Sequence, residues 1–309
     1  MVSENCYRGA HPREDQRLLR CHVGGRDWSS EAITVEPMAT AEETSKRIVQ
    51  RRTMRIPWNI ESHLREEQVG TEVADGVYQL CSTMTNMYLI EGDDGLTLVD
   101  AGLPAHMDLL QAGLERIEAD ISDINAVILT HIDPDHIGLA EPLRKEGIPV
   151  WVHEDGEEVA LEGLGKPPIG FFLLMWRPAF VRFIRALMKD GMGDEEPIAE
   201  VNTFTEGQVL DVPGQPEVIH TPGHREGHCS FWLPDSRILF AGDALITLDI
   251  MSGKAVDPEP VRGGDLFNFN KEQQEDSARK LATLGQVSLL PGHVDPWRGD
   301  LGELYSPAD

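Results

Sequence analysis

From Val73 onward the chain runs in short apolar bursts. GVYQLCS (76–82), TNMYLIEG (85–92) and LTLVDAG (96–102) have strand length and are separated by polar or glycine-containing turns such as GDDG (92–95). The period then changes. In AHMDLLQAGLERIEA, Met107, Leu110, Leu114 and Ile117 fall at helical spacing, which predicts a helix within residues 104–118. Ala126-Val127-Ile128-Leu129 is uninterrupted and apolar, as expected of a buried strand. Helix, strand (Val150–Val152) and helix alternate through residue 162. The second half returns to strands at EVIHT (217–221), CSFWL (229–233) and RILFAG (237–242). A helix is predicted near 271–284, followed by the strand VSLL before Pro291. Two halves, each of strands followed by a helix, predict two sheets packed face to face with helices outside.

Two segments depart from this rhythm. Residues 1–55 carry few apolar side chains and no sustained period, so they are expected to be a poorly ordered N-terminal extension to a domain spanning 56–309. Residues 168–190, PIGFFLLMWRPAFVRFIRALMKD, are apolar and aromatic with interspersed arginines. They fall within an expected helical insertion at about residues 163–195, and Pro178 is expected to prevent one continuous helix. This insertion is expected either to pack on the core or to cap a substrate pocket, with an apolar face that would also suit a homodimer.

Composition narrows the partners. Lys+Arg total 27 against 53 Asp+Glu, a formal net charge of −26. Such a surface repels nucleic acid, whose binding needs basic side chains on its phosphates, and it repels anionic lipid. No apolar run reaches the roughly 18 residues of a membrane span, and the first residues lack a secretory apolar core. The four cysteines, Cys6, Cys21, Cys81 and Cys229, form no close pair, which fits reduced thiols and a cytoplasmic protein. The acidic surface is that expected of a salt-adapted protein, since salt screens its self-repulsion.

The candidate chemistry sits in LTHIDPDHIG (129–138), where His131, Asp133, Asp135 and His136 follow the apolar strand at once. Burying four ionisable groups unpaired is costly. A divalent cation removes the cost, because imidazole and carboxylate ligate zinc, iron and manganese. Three later stretches repeat one arrangement, an apolar strand, a tight glycine turn and one ligand-type side chain. They are HTPGHREGH (220–228) with His224, FAGDAL (240–245) with Asp243 and LLPGHVDPW (289–297) with His293. Strand ends on one sheet edge can converge on a single site.

In order and spacing these motifs resemble the metallo-β-lactamase-fold hydrolases, especially their glyoxalase-II-like branch, and VDAG (99–102) matches that superfamily's strand-end aspartate turn. The resemblance spans roughly residues 73–297. It implies an α/β fold, a four-layer αββα sandwich, with two divalent metal ions at one edge. Zinc is the expected metal, with manganese or iron as alternatives. One ion would take His131, Asp133 and His224, the other Asp135, His136 and His293, with Asp243 bridging. The superfamily usually has histidine at position 133, so Asp133 is a departure: an oxygen ligand that adds negative charge and hardens the site.

The implied activity is hydrolysis of a small ester, thioester or lactone by metal-activated water, with Asp135 as the catalytic residue that orients the nucleophile. A mononuclear-iron oxidoreductase of the persulfide dioxygenase type and a non-catalytic metal-binding protein are the alternatives. Arg225, next to His224, is a candidate either to bind an anionic substrate group or to form a salt bridge. His153 and His220 are expected to play supporting parts, and His228 to be packed or exposed. His106 shows no sign of a role.

Overall fold

The structure is a computed structural model and describes residues 64–82, 85–163, 176–249, 252, 254–261 and 268–305. The expected extension at 1–55 and the first part of the aromatic insertion, 164–175, lie outside the described residues.

A seven-stranded sheet is laid down in sequence order: β1 (Leu64–Ala74), β2 (Val77–Ser82), β3 (Asn86–Gly92), β4 (Gly95–Val99), β5 (Ile124–Ile128), β6 (Val150–His153) and β7 (Asn202–Phe204). The first four pair antiparallel through short turns. From β4 onward the pairing is parallel, because each connection carries a helix that crosses the sheet face. These helices are α1 (Met107–Arg116), α2 (Pro134–Ile137), α3 (Ala140–Lys145), α4 (Glu157–Glu162) and α5 (Pro178–Lys189). The second sheet has the order β14-β13-β10-β9-β8, built from β8 (Glu217–His220), β9 (Cys229–Leu233), β10 (Ile238–Gly242), β13 (Gln286–Pro291) and β14 (Trp297–Asp300). A small hairpin of β11 (Ile246–Asp249) and β12 (Lys254–Glu259) stands apart, and α6 (Lys271–Ala282) and α7 (Leu301–Tyr305) complete the described elements.

Side-chain parity explains the layering. Successive residues of a strand point to opposite faces. In β3, Met87 and Leu89 join the core under α1 and α3, whereas Tyr88 and Ile90 join the core between the sheets. In β10, Ile238 and Phe240 face the first sheet, and Leu239 and Ala241 meet Ala278 and Leu281 of α6. Strands apolar on both faces are therefore covered on both sides, and the result is a four-layer αββα sandwich.

Two helix starts fix segments that matter for the site. Pro178 occupies the first turn of α5, where its missing N–H costs nothing, so the helix begins at the residue expected to interrupt it. Phe183, Ala186 and Leu187 of α5 pack with Leu103, Ile246, Val261 and Val294. The Asn270 side chain caps α6 by accepting from the Glu272 and Gln273 amides. The backbone beside this cap also holds the neighbouring loop: Asn270 N–H donates to Gly223 O and Phe269 N–H to His224 O.

Candidate metal centre

The seven residues picked out by sequence meet at the carboxyl ends of four strands. His131 and Asp133 follow β5, Asp135 and His136 lie on α2, His224 follows β8, Asp243 follows β10 and His293 follows β13. All seven are buried. They form three overlapping groupings able to hold a cation: His131, Asp133 and His224; Asp135, His136 and His293; and His131, His136 and Asp243. His293 Nε2 lies 3.2 Å from Asp243 Oδ2 and 3.6 Å from Asp135 Oδ2. His224 Nε2 lies 3.2 Å from Asp133 Oδ2 and 3.7 Å from Asp243 Oδ2. His136 Nε2 lies 3.6 Å from Asp243 Oδ1.

The loops are pinned by groups remote in sequence. Asn86 donates its backbone N–H to Gly292 O and its side-chain amide to Pro291 O and Val294 O, and Tyr88 OH donates to Pro291 O. Gly292 has to be glycine, since a Cβ there would stand 2.5 Å from Asp243 Oδ1 and 2.7 Å from His136 Cε1.

The hydrogen-bond network assigns the imidazole tautomers. Asp100, at the end of β4 with φ 58°, accepts the Thr130 backbone N–H (2.8 Å), the Thr130 hydroxyl and His136 Nδ1–H (2.9 Å). With its proton given to Asp100, the Thr130 hydroxyl accepts from His131 Nδ1–H at 3.0 Å. Asn268 has its amide orientation set by donation to Val261 O, and its Oδ1 accepts His224 Nδ1–H. Each of these three rings therefore turns an Nε2 lone pair inward. His131 Nε2, His136 Nε2 and Asp243 Oδ1 are buried with no hydrogen-bond partner. Such orphaned acceptors, ringed by carboxylates, fit a divalent cation.

His228 shows the opposite arrangement. Its Nε2 accepts the Asp243 backbone N–H at 3.0 Å, and its Nδ1 donates to Thr221 Oγ1. No lone pair remains for a metal, so this fully buried ring positions Asp243. Burial, aided by the neighbouring His224, pushes its pKa down to about 3. His153 and His220 stack at 4.0 Å with an 11° angle, beside Asp155. Lone pairs lie in the ring plane, so parallel stacked rings do not aim at one ion; burial and then His220 lower the His153 pKa to about 4. His106, with no role expected from sequence, takes the Leu103 N–H on Nδ1, and its Nε2 lies 3.3 Å from Asp190 at the end of α5.

Arg225 forks the Asp133 carboxylate, with Nε 2.5 Å from Oδ1 and Nη2 2.6 Å from Oδ2. Burial opposes ionisation of Asp133, but the guanidinium and then His224 outweigh it and hold the carboxyl well below the usual range. Without a cation, protons take its place. Burial works against charged His136 and His293, yet Asp100 and Asp135 raise His136 to about 10 and Asp243 raises His293 to about 9. His131 is driven well down, first by burial and then by His136. A cation must displace the His136 and His293 protons, so zinc binding at pH 8 is expected to release up to about two protons. Its affinity is expected to climb as pH rises toward 9 to 10. Calorimetric titration in buffers of differing ionisation heat reads this directly, and proton-neutral binding would contradict the assignment.

Comparison with known proteins agrees with this geometry. The Metallo-beta-lactamase superfamily model matches residues 83–293, most of the chain, and the chain belongs to that superfamily. It is 29% identical over 261 residues to the probable metallo-hydrolase YflN of Bacillus subtilis (strain 168), covering 76% of this chain and 92% of that protein. It is 27% identical over 134 residues to the hydroxyacylglutathione hydrolase GloC of Haemophilus influenzae, covering 43% of this chain and 55% of that one. Among solved structures, a metallo-beta-lactamase family protein of Thermus thermophilus superposes with a TM-score of 0.53 at 26% identity, covering 75% of this chain and 77% of that one.

Proposed function

We propose that this chain is a metal-dependent hydrolase of a small ester, thioester or lactone. The observation that carries the reading is the set of orphaned, inward-facing acceptors, His131 Nε2, His136 Nε2 and Asp243 Oδ1, within one carboxylate-lined space. Divalent cations held there would supply Lewis acidity and a water of lowered pKa. The residues that would hold them are His131, Asp133, Asp135, His136, His224, Asp243 and His293. Zinc suits the histidine-rich donor set, and the added carboxylate at 133 also suits manganese or iron.

The remaining chemistry belongs to the chain. Asp135 presents Oδ2 beside His293 and is placed to orient a water and take its proton. Asp100 and Thr130 hold the His131 and His136 rings, and His228 holds the Asp243 backbone. Phe183 of α5 packs edge-on against His293 with centroids 5.7 Å apart, giving the site an apolar wall that sheds water. An acyl portion suits that wall, and the likeness to a hydroxyacylglutathione hydrolase supports a thioester among the candidates. No helix among the described residues is long and apolar enough to cross a membrane, and the net charge of −26 argues against nucleic acid as substrate.

Elemental analysis of protein purified in high salt, without a chelating column, tests the metal. The expected result is zinc or manganese, together with turnover of a generic thioester or lactone. Asp135→Asn is expected to lower that turnover by about 10²- to 10⁴-fold with the fold intact by circular dichroism. One iron per chain with oxygen consumption and no hydrolysis would replace the hydrolase reading with an oxidoreductase. Folded protein that takes up no metal would end both.

A further inference from the structure

Asp133 and Arg225 are 92 residues apart in sequence and meet in a two-pronged pair inside the site. Both carboxylate oxygens are engaged. Oδ2 also faces His224 Nε2 at 3.2 Å and His131 Nε2 at 3.8 Å, so the oxygen available to a cation is the one Nη2 already holds. Arg225 is itself held in place, because Nη1 donates to His224 O at 2.8 Å. A planar guanidinium matches a carboxylate with two parallel hydrogen bonds. An imidazole offers no such pair of oxygens, which accounts for an aspartate at 133 opposite an arginine at 225.

We propose that this pair makes the two cation positions unequal. The position lined by Asp135, His136, His293 and Asp243 takes a divalent ion tightly, and the one lined by His131, Asp133 and His224 takes its ion weakly. The inference rests on the metal-centre reading above and deepens it.

The charge count gives the reason. At the weaker position the Asp133 charge is neutralised by Arg225, which leaves the Nε2 atoms of His131 and His224 and a share of Asp243 as the donors. At the tighter position no guanidinium forks Asp135. That carboxylate and the other share of Asp243 face His293, whose proton leaves when the ion enters, so their charge goes to the ion, and Asp100 stands behind His136 at 2.9 Å. A cation about 2 Å from Asp133 Oδ2 would also sit within roughly 5 Å of the guanidinium, and like charges repel strongly where water is scarce. The weaker ion is therefore the one an anionic ligand would help to recruit, by drawing Arg225 away from Asp133.

The test is a zinc titration of the metal-free, full-length chain by calorimetry, with equilibrium dialysis and elemental analysis to fix the stoichiometry. The wild type is expected to bind one equivalent tightly and a second at least tenfold more weakly. Arg225→Gln is expected to strengthen the second step at least tenfold and leave the first unchanged. Asp135→Asn is expected to weaken the first step, which locates it and does not depend on the arginine variant folding. Two equal steps in the wild type, an unchanged second step in Arg225→Gln, or an Asp135→Asn effect confined to the second step would each overturn the inference while leaving the metal centre standing. Absence of zinc binding in the folded wild type would overturn the metal-centre reading and this inference together.

Discussion

Asp100→Ala is expected to destabilise the protein by about 3–5 kcal/mol, the cost of breaking a buried charged pair, and to weaken metal binding by about 10- to 100-fold. Asp100 accepts three hydrogen bonds at once: the Thr130 amide, the Thr130 hydroxyl and His136 Nδ1–H. Alanine leaves all three donors buried and unpaired. It also places a residue that avoids left-handed backbone at φ 58°, a conformation aspartate and asparagine tolerate better. The effect on metal arises because Asp100 fixes two of the rings that turn Nε2 inward, one directly and one through Thr130. Asp100→Asn separates the two losses. Its carboxamide keeps an acceptor for Thr130 and suits the backbone, but presents N–H to His136 Nδ1 and favours the other tautomer. Denaturant unfolding should then show a smaller loss, while zinc titration shows nearly the full one. Equal stability of Asp100→Ala and the wild type would show that the network carries no weight.

The second large effect is steric. Gly138→Ala is expected to cost about 3 kcal/mol, the upper end for overpacking, and to weaken metal binding as well. A Cβ at 138 would lie 2.3 Å from Leu103 C and 2.4 Å from Pro104 N, both backbone atoms that cannot turn aside. The approach is this close because α2 is laced to the turn after β4. Gly138 N–H donates to Gly102 O, Leu139 N–H to Ala101 O, and Ala101 N–H to His136 O. Spreading that lacing shifts Asp135 and His136 together. Gly156→Ala is the control: its nearest contact would be an ordinary 3.6 Å, and its φ of −100° suits alanine. Near-native thermal stability is expected there, so a comparable loss at both positions would count against the steric account.

The fold was legible where local pattern and tertiary environment agree. The strands at 77–82, 86–92 and 95–99 have an apolar core face and end in polar or glycine turns, and α1 places its apolar residues where the 3.6-residue period predicts. β1 escapes that pattern. LREEQVGTEVA has few apolar residues, because an edge strand pairs on one side only and its register with β2 is broken by shifts. The short β7 escapes it for a related reason, since only Phe204 of its three residues is buried.

At the site, sequence by itself determined which side chains arrive. A strand that ends in a glycine turn delivers its next polar residue to the sheet edge, and that rule is local. It picked out His224, Asp243 and His293, while His131, Asp133, Asp135 and His136 stood out as ionisable residues directly after an apolar strand, and the structure brings all seven together. What each side chain does on arrival was decided by tertiary structure. His224 and His228 both follow a glycine in HTPGHREGH, yet one turns its Nε2 toward the carboxylates and the other spends both nitrogens on Asp243 N–H and Thr221 Oγ1. Asp133 reads as a plain ligand until Arg225, 92 residues later, closes on it. The physical reason is that a hydrogen bond or ion pair depends on separation and angle through space. Spacing along the chain fixes which face a residue takes, and only the folded loops fix which neighbour receives its lone pair or its proton.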